Sequence, residues 1–62
     1  MPEPKFEVYK DETKNFRWRL IAPNNQVIAV SGEGFKAKDG CMNGIASVKE
    51  NAPKARIHDL TG

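Results

Sequence analysis

The sequence predicts a small α+β domain in the order β-β-β-α-β, with an antiparallel three-stranded meander packed on one helix. Three observations support this prediction. Three short runs between residues 5 and 31 have strand character, glycines interrupt the pattern at residues 32–34, and an amphipathic stretch follows from about Ala37 to Asn51. A chain of 62 residues is one domain, 1–62, with an expected ordered core at about residues 5–60.

The strands follow from apolar and polar alternation. The first run, Lys5–Lys10, alternates regularly, and the third spans residues 26–31. The second run, residues 15–22, divides into an apolar face and a face that carries two arginines and an isoleucine: Phe16, Trp18, Leu20 and Ala22 against Arg17, Arg19 and Ile21.

The connector between the second and third strands allows two registers. A two-residue turn would pair Ala22 with Val27 and would place the aliphatic residues of the third strand beside the arginines. A three-residue loop pairs Ala22 with Gln26 and sets Ile28 opposite Leu20 and Val30 opposite Trp18. We favour the longer loop because a one-residue slip moves every side chain to the other face, and because asparagine tolerates the left-handed backbone of its last position.

By the same logic a three-residue loop, residues 12–14, closes the first hairpin and sets Val8 opposite Trp18 and Phe6 opposite Leu20. The sheet then has two predicted faces. The inner face contains Phe6, Val8, Phe16, Trp18, Leu20, Ile28 and Val30. The outer face contains Glu7, Tyr9, Arg17, Arg19, Ile21, Val27 and Ala29.

The helix has one apolar stripe at helical spacing, formed by Cys41, Ile45, Val48 and Ala52, with Met42 alongside. Gly40 and Gly44 each cost about 1 kcal/mol in a helix relative to alanine, so we expect the helix to approach another backbone closely there. Ala52-Pro53 ends the helix, and residues 54–60 are predicted to form a short fourth strand.

Composition limits the ways in which so short a chain can be stabilised. Cys41 is the only cysteine and His58 the only histidine, so neither an internal disulfide nor a Cys/His zinc set is available, and we expect no cofactor. Self-association remains, which predicts a homodimer. The net charge of +2 comes from mixed signs, and no apolar run reaches the roughly 20 residues of a membrane span. We expect no signal peptide and, with the lone free cysteine, a cytoplasmic protein.

Three segments together resemble the YegP-like family of small uncharacterised proteins: Phe16–Leu20, Val27–Phe35 and Gly44–Pro53. The resemblance extends from about Phe6 to Leu60 and implies a β-β-β-α-β unit. It also implies that two units form one continuous sheet with exchanged C-terminal strands, either as a tandem repeat or as a homodimer. Members of this family often carry glycine at the positions of Lys14 and Asn25 and a small polar residue near Ala37. The resemblance brings no catalytic or ligand-binding residues.

Two surfaces are candidate sites. Tyr9, Arg17 and Arg19 form a cationic, partly aromatic strip that could bind nucleic acid, but a solvated face with a Glu7–Arg19 ion pair is the favoured interpretation. The turn before the helix could hold an anion through Gly32, Gly34, Lys36 and Lys38, but a flexible strand-to-helix turn explains the same residues.

The two residues with reactive side chains also have simpler roles. Cys41 is expected to pack as a small hydrophobe, and His58 is expected to have no catalytic role, because nothing is available to orient it. The sequence therefore favours a non-enzymatic homodimer that acts as an interaction module. The alternative is a nucleic-acid-binding module, and an enzyme ranks third.

Overall fold

The computed structural model describes residues 2–62 and contains a three-stranded antiparallel sheet and one helix. The strands are β1 (Lys5–Lys10), β2 (Phe16–Ile21) and β3 (Val27–Val30), in the spatial order β1-β2-β3. The helix α1 (Lys38–Asn51) packs on the central strand, and one turn of 3-10 helix (Ala52–Lys54) follows it. The predicted meander and helix are confirmed.

Both hairpins close through three-residue loops, as predicted. In the first, the Lys14 amide donates to the Asp11 carbonyl at 3.0 Å, and in the second, the Asn25 amide donates to the Ala22 carbonyl at 2.9 Å. Lys14 and Asn25 occupy the same loop position and have positive φ values of 66° and 71°. This left-handed conformation explains why the resembling family often carries glycine at both positions.

The register between β1 and β2 is the predicted one, with Val8 opposite Trp18 and Phe6 opposite Leu20. The register between β2 and β3 begins as predicted, because the Ala22 amide donates to the Gln26 carbonyl at 2.7 Å. A β-bulge then shifts the pairing, since Val27 lies opposite Ile21 but Ala29 lies opposite Leu20. Ile28 is the extra residue on the bulged strand.

The bulge corrects two predicted positions and reverses the predicted faces of Ala29 and Val30, whereas Val27 keeps its predicted outer face. Val30 lies opposite Arg19 rather than Trp18, and Ile28 is not opposite Leu20. Directly opposed residues share a face, so Val30 lies on the outer face, away from the helix. Ala29 instead packs against the core.

The core lies between β2 and α1. Its buried residues are Trp18, Cys41 and Ile45, and further hydrophobic residues pack around them: Phe6, Val8, Phe16, Ala29, Phe35 and Val48. The Phe6 and Trp18 rings meet edge to face with centroids 5.6 Å apart. Ile21, predicted on the outer face, is also buried but is not part of this cluster.

The two helix glycines accommodate aromatic side chains rather than another backbone, which corrects the expectation above. A Cβ added at Gly40 would lie 3.4 Å from the Phe35 ring, and one at Gly44 would lie 3.3 Å from both the Phe35 ring and the Trp18 indole nitrogen. Phe35 is held in place by two backbone hydrogen bonds with Phe16, of 2.7 and 2.8 Å. The glycines therefore make room for the two rings that fill the space between sheet and helix.

The helix begins without a side-chain cap. Ala37 is its N-cap, has extended backbone angles of φ −119° and ψ 144°, and makes no side-chain hydrogen bond. Ala37→Ser should therefore raise the free energy of unfolding by roughly 0.5–2 kcal/mol, because the hydroxyl can accept from an unpaired amide of the first turn. Denaturant unfolding of wild type and variant at one protein concentration measures this difference.

A matched control separates capping from the general effect of serine. Ala46→Ser makes the same change at an exposed position inside the helix, where serine should slightly lower stability. Equal effects of the two substitutions would contradict the role assigned to Ala37.

The predicted fourth strand is absent from the single chain. Residues 55–62 have no regular structure, and all of them are exposed. The two large apolar side chains of this segment, Ile57 and Leu60, are 97% and 82% exposed. The segment meets no strand of its own chain, so the β-β-β-α-β unit is not completed within one copy.

Candidate functional site

The outer face of the sheet brings the predicted residues Tyr9, Arg17 and Arg19 together. Tyr9 lies opposite Arg17 across the β1–β2 pair. The Arg19 guanidinium lies over the Tyr9 ring, 4.7 Å from its centroid, which is a cation–π arrangement. The alternation of β1 and β2 alone is sufficient to place these three side chains side by side.

Both arginines are paired with carboxylates on the same face. Arg17 Nε lies 2.6 Å from Asp11 Oδ2, and Arg19 Nε lies 2.7 Å from Glu7 Oε1. The hydrogen bond from Arg19 lowers the pKa of Glu7, and Lys5 Nζ lies 3.5 Å from the other oxygen of this carboxylate. The predicted Glu7–Arg19 ion pair is confirmed, and the face carries alternating charges rather than a uniformly basic surface.

Asp11 organises the first hairpin loop as well as pairing with Arg17. Its Oδ1 accepts hydrogen bonds from the Thr13 hydroxyl at 2.6 Å, the Thr13 amide at 2.9 Å and the Asn15 amide at 3.0 Å. The Thr13 hydroxyl and the Arg17 guanidinium are the two largest causes that hold the pKa of Asp11 far below its ordinary value of 3.8. The carboxylate is thus fixed by the loop it closes.

This depressed pKa predicts an acid-sensitive hairpin. A carboxylate whose pKa is lower in the folded state stabilises the fold above its unfolded pKa, near 4, and loses that contribution as pH falls further. The melting temperature of the wild type should therefore fall between about pH 4 and pH 2, and that of Asp11→Asn should fall less over the same range. The pKa values of Glu7 and Asp59 are also lowered. The melting temperature of Asp11→Asn should therefore still depend on pH in this range, but less strongly.

Thermal unfolding monitored by circular dichroism across this range tests the prediction. Asp59→Asn is the matched control and should alter the acid profile less than Asp11→Asn does, because Asp59 is held by Thr61 in the exposed C-terminal segment, away from the hairpin. Identical pH profiles for wild type and Asp11→Asn would contradict a stabilising role for this carboxylate.

The predicted anion site does not have the geometry of a phosphate-binding loop. None of its glycines has a positive φ, so the alternating right- and left-handed backbone that makes an amide nest is missing. Gly32, Lys36 and Lys38 are exposed and Gly34 is half-buried. Asp39 adds a negative charge in the first helical turn. The turn therefore connects β3 to α1 without a built cradle.

The structure contains an exposed apolar surface that sequence reasoning missed. On β3, Val27, Ile28 and Val30 are 55%, 59% and 57% exposed, and we call these three residues the aliphatic strip. The opposed pairs Val27–Ile21 and Val30–Arg19 place its two valines on the outer face. The sequence of β3 could not reveal this, because four consecutive apolar residues have no alternation from which a face can be read.

The two residues with reactive side chains differ in exposure. Cys41 is fully buried in the core, as expected, and His58 is exposed in the C-terminal segment. Residues 2–62 contain no group of three histidine, cysteine, aspartate or glutamate side chains that could hold a metal ion, and no pocket is found among them. No described helix is both long and apolar enough to cross a membrane.

The fold and its faces define a small α+β domain with a three-stranded antiparallel sheet, one helix and an unpaired C-terminal segment. Residues 11–59 match a family described as "Domain of unknown function (DUF1508)". The chain belongs to this family, whose curated relatives are called UPF0339 proteins.

Two relatives have nearly the same length as this chain. A UPF0339 protein of Methanosarcina acetivorans is 62% identical over 53 residues, which are 86% of this chain and 90% of the relative. One from Treponema denticola is 55% identical over 56 residues, 90% of this chain and 95% of the relative. A third, from Stutzerimonas stutzeri, is described as a UPF0339 protein in the ptx operon 5′ region. It is 56% identical over 48 residues, which are 77% of this chain but 42% of the relative.

A solved structure has the same fold. The solution structure of a protein from Haloferax volcanii superposes with a TM-score of 0.87 at 42% sequence identity. The match covers 97% of this chain and 100% of that one. The aligned region therefore includes residues that follow the helix.

Proposed function

We propose that this protein is a non-catalytic interaction module that functions as a homodimer. In the dimer, the C-terminal segment of each chain (residues 54–60) becomes the fourth strand of the partner's sheet. This is the arrangement expected of a single-repeat YegP-like protein. The observation that carries the proposal is the exposure of Ile57 and Leu60, which their own chain leaves largely uncovered.

The small size of the core supports self-association. Only four hydrophobic residues are buried among residues 2–62: Trp18, Ile21, Cys41 and Ile45. Six large hydrophobic side chains are exposed instead: those of the aliphatic strip, Met42, Ile57 and Leu60. Domains of this length usually need a disulfide, a metal or a partner copy, and a single cysteine excludes an internal disulfide.

The length of one relative gives independent support. The matched region makes up 42% of the Stutzerimonas stutzeri protein, so that chain has room for a second unit of the same size. A tandem pair in one chain and a homodimer of single units would both supply each sheet with a strand from a second unit.

The non-catalytic part of the proposal rests on the side chains themselves. The only thiol lies in the core, and the only imidazole lies in the exposed C-terminal segment. A nucleophile, a base and an orienting group must be close together for acyl-transfer chemistry, whereas Cys41 lies within the core and His58 lies in an exposed segment. A cytoplasmic location stays a prediction.

Nucleic-acid binding ranks below self-association because Arg17 and Arg19 are neutralised within their own face. A duplex binder gains its affinity mainly from unpaired cations that replace counterions on phosphates. A gel shift with duplex DNA and with RNA at several salt concentrations tests this alternative. Binding that weakens steeply with salt, and that Arg19→Gln reduces, would favour it.

Sedimentation equilibrium at micromolar concentration tests the homodimer. We expect twice the chain mass of 6.9 kDa. We also expect a melting temperature that rises with protein concentration, because association stabilises only the folded chains. A mass near that of one chain, with a melting temperature independent of concentration, would contradict the proposal.

A further inference from the structure

The outer face of the sheet, on the side away from α1, carries two parallel rows of side chains. Residues directly opposed across the strands share a face, and on this face they form the rows Lys5–Ile21–Val27 and Glu7–Arg19–Val30. Each row begins with a charged residue on β1 and ends with a valine on β3. Both valines are more than half exposed.

The β-bulge determines the apolar end of the second row. In an unbroken strand, alternation would put Val27 and Ala29 on the outer face and would turn Val30 toward the core. Because Ile28 is the extra residue of the bulge, Val30 takes the outer position and Ala29 packs against the core. The bulge thus exposes a larger apolar surface than regular alternation would.

The charged groups of the two rows are already paired within the chain. Arg19 Nε lies 2.7 Å from Glu7 Oε1, and Lys5 Nζ lies 3.5 Å from Glu7 Oε2. A surface that covers these groups therefore does not have to supply all of their counter-charge. Like charges placed opposite each other are costly in an interface, so a surface with both signs fits this face better than a uniformly acidic or basic one.

From these observations we infer that the outer face binds the outer face of a second copy of this chain. A two-fold axis that runs across the strands, midway between the rows, places each row over the other row of the second copy. Val27 then meets Val30 of the second copy, and Lys5 meets Glu7 of the second copy. The symmetry repeats both contacts, so one surface is complementary to itself in shape of pattern and in charge.

The contact has the form of sheet-on-sheet packing. Two sheets pack face to face about 10 Å apart, with strand directions within about 30° of each other. The valines of the two copies then form an apolar contact along β3, and the Lys5–Glu7 pairs flank it along β1. Between them, the apolar stem of Arg19 lies over Ile21 of the second copy.

This association goes beyond the proposed homodimer and does not depend on it. An exchanged strand adds to an edge of the sheet and leaves the outer face free. Two homodimers that join through this face form a tetramer.

Charge-exchange variants test the contact between Lys5 and Glu7. In Lys5→Glu both positions are acidic in every copy, and in Glu7→Lys both are basic, so each variant alone places like charges opposite each other. An equimolar mixture of the two variants restores opposite charges at both contacts. Sedimentation equilibrium from micromolar concentration to about 1 mM measures association of the wild type, of each variant and of the mixture.

We expect the wild-type mass to rise from two chains to four with concentration. The dissociation constant of the tetramer should rise roughly tenfold or more in each variant alone, and it should return to near the wild-type value in the mixture. Recovery on mixing separates a lost contact from a lost fold, and circular dichroism of each variant checks that both remain folded.

The other outcomes separate this inference from the homodimer. A wild type that stays at two chains up to the highest concentration, or a mixture that does not recover, would overturn the face-to-face contact and leave the homodimer intact. A wild type that rises only from one chain to two, with the same response to charge exchange, would support this contact and overturn the strand-exchanged homodimer. A wild type that stays at one chain would overturn both.

A second measurement does not depend on charge. Val30→Thr keeps the shape and strand propensity of residue 30 but adds a hydroxyl to the aliphatic strip. We expect the dissociation constant of the tetramer to rise roughly tenfold, because both copies lose apolar contact. Met42→Thr changes an exposed hydrophobic residue on the helix, on the other side of the sheet, and should leave this constant unchanged. Equal effects of the two substitutions would contradict the inference.

Discussion

Trp18→Ala should unfold the protein under conditions in which the wild type is folded. The indole is buried at the centre of the core, packs edge to face on Phe6, and lies against Gly44 of the helix. Truncating a buried tryptophan costs about 3–5 kcal/mol. Folding free energies of about 0.05–0.15 kcal/mol per residue leave a chain of this length little more than that.

Circular dichroism and denaturant unfolding at one fixed protein concentration measure the effect. Met42→Ala is the matched control, because Met42 is nearly half exposed and substitutions at such positions usually change stability by less than about 1 kcal/mol. A Trp18→Ala variant with unchanged stability would show that the indole lies outside the core and that the register of β1 against β2 is wrong.

Deletion of residues 54–62 should abolish the dimer and strongly destabilise or aggregate the chain. The deletion removes Ile57 and Leu60, and it leaves the partner's sheet without its proposed fourth strand. Uncovered edges of this kind pair non-specifically. Sedimentation velocity and thermal unfolding of the truncated and full chains measure both consequences.

Removal of residues 61–62 alone is the control truncation, since it retains both apolar residues of the segment. It should preserve the dimer and most of its stability. A chain without residues 54–62 that remains a well-folded dimer would remove the exchanged strand from the account, and it would leave the interface to the helix or to another sheet edge.

The sequence was sufficient for the parts of the fold that have clear alternation and distinctive loops. The first hairpin register follows from the alternating residues of β1 and β2. The second hairpin loop follows from the proline and asparagines between β2 and β3, and the left-handed Asn25 agrees with it. The outer-face strip of Tyr9, Arg17 and Arg19 follows from the same alternation.

The bulge in β3 could not be predicted in the same way. Val27-Ile28-Ala29-Val30 is apolar at every position, so either set of alternate residues satisfies a buried face. The structure places the small Ala29 toward the core and exposes the larger neighbours. Core space beside Trp18 and the helix depends on tertiary packing, which strand periodicity does not encode.

The site was predicted only in part for a related reason. Tyr9, Arg17 and Arg19 share the face that strand alternation predicts. The pairing of Arg17 with Asp11 was not predicted, because it depends on the loop conformation that brings this carboxylate to Arg17. The apolar pattern of residues 54–60 indicated a strand, yet no strand forms within one chain. The proposed exchange accounts for this difference, because the segment would then form a strand only beside a second copy of the chain.

Hydrogen exchange of the backbone amides of residues 55–60 tests most directly whether this segment completes the partner's sheet. In one chain these amides lack backbone partners apart from that of Ala55, which donates to the Ala52 carbonyl at 3.2 Å. In the dimer we expect alternate amides of this segment to exchange as slowly as those of β2, and to lose this protection on dilution to single chains. Fast exchange throughout residues 56–60, in a sample whose mass is that of a dimer, would contradict the account.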